Sequence, residues 1–188
     1  MKSSMHQNSK IVLTHNLKNL SAILKIAASD AKARGIDPAV LLNARLAPDM
    51  FPLTRQVQIA TDHVKGCCAR LAGVEIPSFP DNEATFADLQ TRIKTTLKFI
   101  KGLKASQFEG SEAKCIEMKF PIGTISFDGL DYLNGWALPN FYFHYSAVYN
   151  ILRHNGVPLG KAQYLGMMPG VQMTGKIAKM MGAKAKVK

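Results

Sequence analysis

FDGLDYLNGWALPNFYFHYSAVYNILRHNG, residues 127–156, is the densest aromatic stretch of the chain and carries both a start and a stop signal for a helix. Asp128 and Asp131 have a capping-box-like spacing, in which side chains satisfy free backbone N–H groups. Gly156 is typical of the position just past a helix end, and Pro158 cannot continue a helix. The stretch therefore predicts the last helix of the fold, with both ends defined.

Pro139 divides this stretch, because a proline inside a helix removes one backbone donor and clashes with the preceding turn. We expect a short helix over 129–138, a kink or break, and a main helix over 140–155. In the main helix, mostly apolar and aromatic residues recur at spacings of three and four, which places one set on a single face: Phe141, His144, Tyr145, Val148, Ile151 and Leu152. This pattern predicts that His144 lies in the core.

The rest of the chain carries three further amphipathic helices and one segment of different period. Apolar stripes at helical spacing predict helices over 9–34, 54–72 and 85–103. The segment 114–127, KCIEMKFPIGTISF, alternates apolar with polar residues around a turn signal, which is typical of a β-hairpin with one buried face. Because such helices cannot bury their stripes singly, the predicted fold class is all-α: an antiparallel four-helix bundle with a small β-hairpin before the last helix.

Length and charge indicate one domain and a basic tail. The 188 residues, 47% of them hydrophobic, are enough for one domain with a real core. Net charge is +11, and residues 166–188 hold five lysines and no acid. We therefore predict a single helical-bundle domain over 1–166 and a basic C-terminal tail over 167–188.

The composition also constrains location and partners. No apolar run approaches the ~20 residues of a membrane helix, and the first residues carry no secretory signal. Three cysteines without a CxxC motif are typical of reduced thiols, so a cytoplasmic protein without membrane contact is expected. Nucleic-acid binding is disfavoured, because the aromatics lie in a helix seam and do not interleave with lysines.

Three segments resemble a known family: LLNARLAPDMFPLTRQVQIATDH (41–63), KGCCARLAGVEIP (65–77) and LPNFYFHYSAVYNILRHNGVPLGK (138–161). They are similar to a domain-of-unknown-function family within the DinB/YfiT-like superfamily, and the resemblance extends over residues 5–166. It implies a four-helix bundle with a hairpin before the last helix, in agreement with the periodicity. It also implies a homodimer, because superfamily members often dimerise.

The resemblance further implies a candidate metal site. Some superfamily members bind a divalent metal through three histidines, one on the second helix and two spaced i, i+4 on the last. His63 and His144 match the first two positions, but Val148 stands where the third ligand would be. A catalytic zinc site typically has three protein ligands. Four residues offer a substitute ligand, and no spacing favours one of them: Asp62, Asp49, Cys67 and Tyr145.

Two functions are therefore open. The first is a DinB-like bundle with an incomplete metal site and no cofactor, which binds a small ligand or acts as a dimeric scaffold. The alternative is a divalent-metal-dependent enzyme of thiol transferase or isomerase type, with zinc, nickel or iron held by His63 and His144. In either case a buried imidazole needs a partner, so we expect a ring nitrogen of His144 to be engaged near the second helix, with His63 as the leading neighbour.

Overall fold

A computed structural model describes residues 4–167, 170–172 and 174–180. A π-helical turn, Gln7–Ile11, leads into α1 (Val12–Arg34), which is followed by α2 (Pro38–Leu42), α3 (Leu53–Ala72) and α4 (Phe86–Gly102). Two 3₁₀ turns, Ala105–Phe108 and Ser111–Ala113, lead to strands β1 (Cys115–Phe120) and β2 (Gly123–Asp128). The last helical run comprises α5 (Gly129–Asp131), a π-helical segment (Tyr132–Ala137) and α6 (Leu138–His154), and α7 (Lys161–Leu165) and α8 (Gly175–Met180) follow.

The ends of the long helices follow from local sequence. α1 and α3 each end at a glycine in the left-handed region, Gly35 at φ 66° and Gly73 at φ 70°, a conformation that costs glycine nothing. α4 begins with a complete capping box between Thr85 and Asp88. The three helices predicted upstream of the hairpin are therefore confirmed to within a few residues.

Of the kink or break predicted at Pro139, a break is wrong, because the helical run is continuous there. Ala137, at the junction, has helical backbone angles (φ −66°, ψ −51°), so the π-helical segment runs directly into α6. A π-helical turn is wider than an α-helical one and bonds residues five apart, and it lies where Pro139 cannot donate its usual bond. The capping-box-like interaction of Asp128 is also absent, because its side chain accepts no cap hydrogen bond.

The hairpin packs one face on the last helical run. Strands β1 and β2 are antiparallel, with Ile116 opposite Phe127 and Met118 opposite Ile125. The Phe127 ring centroid lies 6.2 Å from that of Tyr132 and 6.0 Å from that of Trp136. This packing explains why so short a sheet is stable, since a lone hairpin is marginal in water.

Helix α3 is the central element of the bundle. It packs most extensively on α6 and next on α4, while α1 packs on α4. The apolar stripes of the four long helices form one core, and its largest fully buried side chains include Tyr132, Tyr145, Phe108, Phe141, Leu13 and Leu17. The all-α class with a small hairpin before the last helix is thus confirmed.

The C-terminal part of the bundle is fixed by polar contacts. The amide of Asn19 donates to the Leu165 carbonyl at 2.7 Å, and the Tyr145 hydroxyl donates to the Tyr164 carbonyl at 2.6 Å. These contacts satisfy carbonyls that a helix end leaves free. Of the basic tail predicted over 167–188, residues 168, 169, 173 and 181–188 lie outside the described residues. Within the part that is described, no helix is both long and apolar enough to span a bilayer.

Candidate functional site

His144 lies where α3 and α6 meet, and one of its ring nitrogens is occupied. The residue projects from the core face of α6 and is 9% exposed. Its Nδ1 lies 2.7 Å from Oε1 of Gln56 on α3. The prediction that a ring nitrogen is engaged from this helix is confirmed, but the hydrogen-bond partner is Gln56 and not His63.

Gln56 fixes the tautomer of His144. The amide nitrogen of Gln56 donates to the Phe51 carbonyl at 3.1 Å, so the amide oxygen faces the ring. An amide oxygen only accepts hydrogen bonds, which requires Nδ1 to carry the hydrogen and leaves the lone pair on Nε2. The site therefore presents one imidazole nitrogen as an acceptor of defined orientation.

His63 supplies the second ring of what we call the imidazole pair, His63 and His144. The ring centroids are 5.7 Å apart and the planes are inclined by 17°. Burial lowers the pKa of His63. Burial, the charge of His63 and the charge of Arg55 lower the pKa of His144 from 6.5 to about 4. Both rings are therefore neutral at physiological pH, and His144 is too weakly basic to serve as an efficient general base.

Two of the four substitute metal ligands are engaged elsewhere. The hydroxyl of Tyr145 is used by the Tyr164 carbonyl. The carboxylate of Asp62 lies 2.9 Å from the Lys65 ammonium and 2.7 Å from the Arg92 guanidinium. Both side chains are therefore held by partners other than the imidazole pair.

The other two substitutes do not complete a site either. Asp49 is exposed on the turn before α3, and Cys67 is fully buried. Burial raises the pKa of Cys67, and burial raises that of Cys68 to about 12, so both remain protonated thiols and are poor nucleophiles. Among the described residues, no three His, Cys, Asp or Glu side chains are grouped to hold a metal ion. The side chains present do not fit the three-ligand metal site of the superfamily.

The imidazole pair lies near the surface. The Phe143 ring, 59% exposed, meets the His144 ring edge-on at 5.2 Å. Cavities of about 320, 600 and 330 Å³ lie elsewhere on the molecule, and neither His63 nor His144 lines any of them. A molecule bound at this pair would therefore lie outside those three cavities, where α3 and α6 are in contact.

A positively charged group stands on the same face of α3. Arg70 follows His63 by seven residues, which is two helical turns. Its Nη1 donates to the Tyr132 hydroxyl at 3.1 Å, and its Cζ lies 5.8 Å from the Tyr132 ring centroid. Neither Gln56 nor Arg70 was singled out from the sequence, because each is one polar residue in an amphipathic helix with no motif around it.

A second polar cluster, also missed from the sequence, lies between α3 and α4. The Arg92 side chain is 1% exposed and lies 2.7 to 3.0 Å from three carboxylates: Asp62, Asp81 and Glu83. Its Nε donates to the Thr61 hydroxyl at 2.7 Å, and the Pro80 carbonyl accepts from Nη1 at 3.1 Å. With all these donors used, the cluster is a structural clamp on the 77–84 connection.

Comparisons with known proteins agree with this architecture. The family described as "Domain of unknown function (DUF1993)" matches residues 5–165. A solved structure described as a DinB family member from Shewanella denitrificans is similar over 90% of this chain and 96% of its own, with 39% identity and a TM-score of 0.82. No curated protein matches the chain.

Proposed function

The chain belongs to the DinB-like family described as Domain of unknown function (DUF1993), and from that premise we propose that it binds a small ligand at the imidazole pair without a complete metal site of its own. The observation that carries this proposal is the hydrogen bond from His144 Nδ1 to Gln56 Oε1 at 2.7 Å. It leaves Nε2 as an oriented acceptor beside the neutral ring of His63. Such an acceptor suits a hydroxyl, amine or thiol donor on a ligand.

Binding is favoured over acid–base catalysis by the charge state of the rings. A general base works best when its pKa lies near the operating pH, and the pKa of His144 is about 4. A neutral imidazole with a fixed tautomer, by contrast, is suited to recognition, because no rearrangement is needed when the donor arrives.

The proposal is tested by observing the histidine rings directly. In protein labelled at histidine, His144 should show the Nδ1–H tautomer by nitrogen NMR, and ligands that donate a hydrogen bond should shift its Nε2 signal. His144→Asn should remove that response, because Asn can still donate to Gln56 but offers no Nε2. His154→Asn, an exposed histidine in the last turn of α6, is the matched control. A tautomer with hydrogen on Nε2 would overturn the proposal.

A metal-dependent enzyme of thiol transferase or isomerase type remains the second candidate, and one observation favours it. Metal-binding histidines almost always donate their other ring N–H to an oxygen acceptor, which His144 does through Gln56. Zinc, nickel or iron would then require a third ligand from a bound thiol or water. Elemental analysis of untagged protein tests this: close to one metal per chain would replace the first proposal, whereas a metal-free protein would eliminate the second.

We also propose that the protein is a homodimer, because apolar surface remains uncovered. Phe143, Phe51 and Ile122 are 59%, 53% and 100% exposed, and Phe120 and Ile125 add to the hairpin side. Exposed apolar surface suits a protein–protein contact, and two-fold dimers are the commonest closed assembly. Sedimentation should give a dimer that Ile122→Asp or Phe143→Asp weakens and Val40→Asp, an exposed residue on α2, does not. A monomer at micromolar concentration would contradict this.

A further inference from the structure

The guanidinium of Arg70 is held in place without an anionic partner. The arginines at 34, 55 and 92 each pair with a carboxylate, whereas among the described residues Arg70 has none. Its one side-chain hydrogen bond goes to the Tyr132 hydroxyl. Burial raises the pKa of Tyr132 far above its ordinary value, so the phenol stays neutral and leaves the charge of Arg70 uncompensated.

Gly66 determines where that guanidinium lies. A Cβ added at Gly66 would stand 2.7 Å from Nη1 of Arg70, closer than real Cβ contacts occur. The side chain of Arg70 therefore folds back along α3 over Gly66. Gly66 is three residues after His63, which is about 5 Å along the helix axis at 1.5 Å per residue. Burial lowers the pKa of His63, and the charge of Arg70 lowers it further, so the guanidinium acts on that ring.

The guanidinium of Arg70 and the imidazole pair together suit one kind of ligand. A guanidinium has five N–H donors in a planar fork that matches the two oxygens of a carboxylate, and most of these donors are unused in Arg70. The site offers one uncompensated positive charge, which matches one negative charge. Next to it lie neutral imidazoles, which accept hydrogen bonds from neutral donors.

We propose that the ligand is a small carboxylic acid, whose carboxylate binds Arg70 and whose hydroxyl, amine or thiol a few bonds away binds the imidazole pair. This inference rests on the proposed function, since it names the ligand class of the same site. It assigns Gly66 the role of leaving space for the binding cation.

The experiment uses 3-hydroxypropanoate as the probe and the full chain as the protein. Saturable shifts of the Arg70 and His144 signals in NMR titration are expected, and the uncharged amide of the same compound should bind about tenfold or more weakly. Arg70→Gln should lose the preference for the acid over the amide. Arg45→Gln, an exposed arginine on the turn before α3, is the matched control and should keep it.

Gly66→Ala separates ligand binding from stability. Alanine is favoured over glycine inside a helix by ~0.5–1 kcal/mol, and the only atoms its Cβ meets belong to the flexible end of Arg70. The variant should therefore fold at least as stably as wild type, yet lose the preference for the acid as Arg70→Gln does. If Arg70 had only a structural role, the wild type would show no preference for the acid over the amide, and Gly66→Ala would have no preference to lose.

Three outcomes would overturn the inference. If acid and amide bind equally to wild type, or if Arg70→Gln keeps the preference, Arg70 does not bind a carboxylate. If both probes bind through His144 alone, the proposed function stands and the carboxylate inference fails. If Arg70→Gln instead dissociates a dimer, a carboxylate of a second copy occupies the guanidinium and no small acid does.

Discussion

His144 is the residue at which structure and chemistry are most closely linked. Its place on the core face of α6 was predictable from spacings of three and four, and so was its need for a partner. The identity of the partner was not, because Gln56 is 88 residues away in the chain and nothing in its local sequence marks it. His63, the neighbour expected from the superfamily pattern, stacks on the ring and makes no hydrogen bond to it.

The low pKa of His144 makes the stability of the protein depend on pH. In the unfolded chain the ring takes up a proton near its ordinary pKa of 6.5, whereas in the fold it does so only near about 4. The unfolded state therefore binds more protons between these values, and stability falls as pH drops through this window. The contribution is fully present above the window, and His63 acts in the same direction because its pKa is also lowered.

His144→Asn should flatten this dependence. Asn can keep the bond to Gln56 but cannot be protonated. Between about pH 7.5 and about pH 5, the wild type should lose roughly 1–2 kcal/mol more unfolding free energy than the variant. Urea denaturation at the two pH values measures the difference. Equal losses in both proteins would show that His144 is not held neutral by the fold.

At the scale of elements, the 77–84 connection is held by side-chain interactions that hydrophobic periodicity does not predict. This connection has no regular secondary structure. The clamp formed by Arg92 was not predictable, because it joins α3, α4 and the connection through side-chain contacts up to 31 residues apart. The π-helical segment before Pro139 was also missed, and its packing against the hairpin and α3 is likewise invisible in the local sequence.

Arg92→Met should destabilise the protein strongly. Glu83, whose side chain is 7% exposed, would lose its positive partner within the fold. Removing one member of a buried ion pair costs about 3–5 kcal/mol. Lys94→Met, an exposed lysine on the same helix, should change the unfolding free energy by less than about 0.5 kcal/mol. Chemical denaturation of both variants tests the contrast, and similar midpoints would show that the clamp contributes little.

For the whole molecule, the four helices and hairpin were predictable because each long element carries a clean period and usable end signals. Gly35, Gly73 and the Thr85–Asp88 capping box behave as their residue types indicate. The candidate site was predictable only in part. Helical spacing located His144. The position of the Arg70 guanidinium was not predictable, because it depends on the space left by Gly66 and on the hydrogen bond to Tyr132.

Truncation after Gly166 should leave the bundle nearly unchanged. The polar contacts that fix α7 end at Leu165, and the residues beyond it whose side chains are described are exposed. We expect the melting temperature of the 1–166 protein to match that of the full chain within a few degrees. Truncation after Gly160, which also removes α7, is the comparison and should lower it. A large drop for the longer form would mean that the tail packs on the bundle.

The amide of Gln56 joins two different elements of the fold. One end is bonded to the carbonyl of Phe51, on the turn before α3, and the other to His144 on α6. Transfer of the imidazole hydrogen to Nε2 would require the amide to rotate, and rotation would break the bond to Phe51. A switch of tautomer at His144 would therefore also release the backbone carbonyl of Phe51, whereas protonation of Nε2 would leave both hydrogen bonds in place.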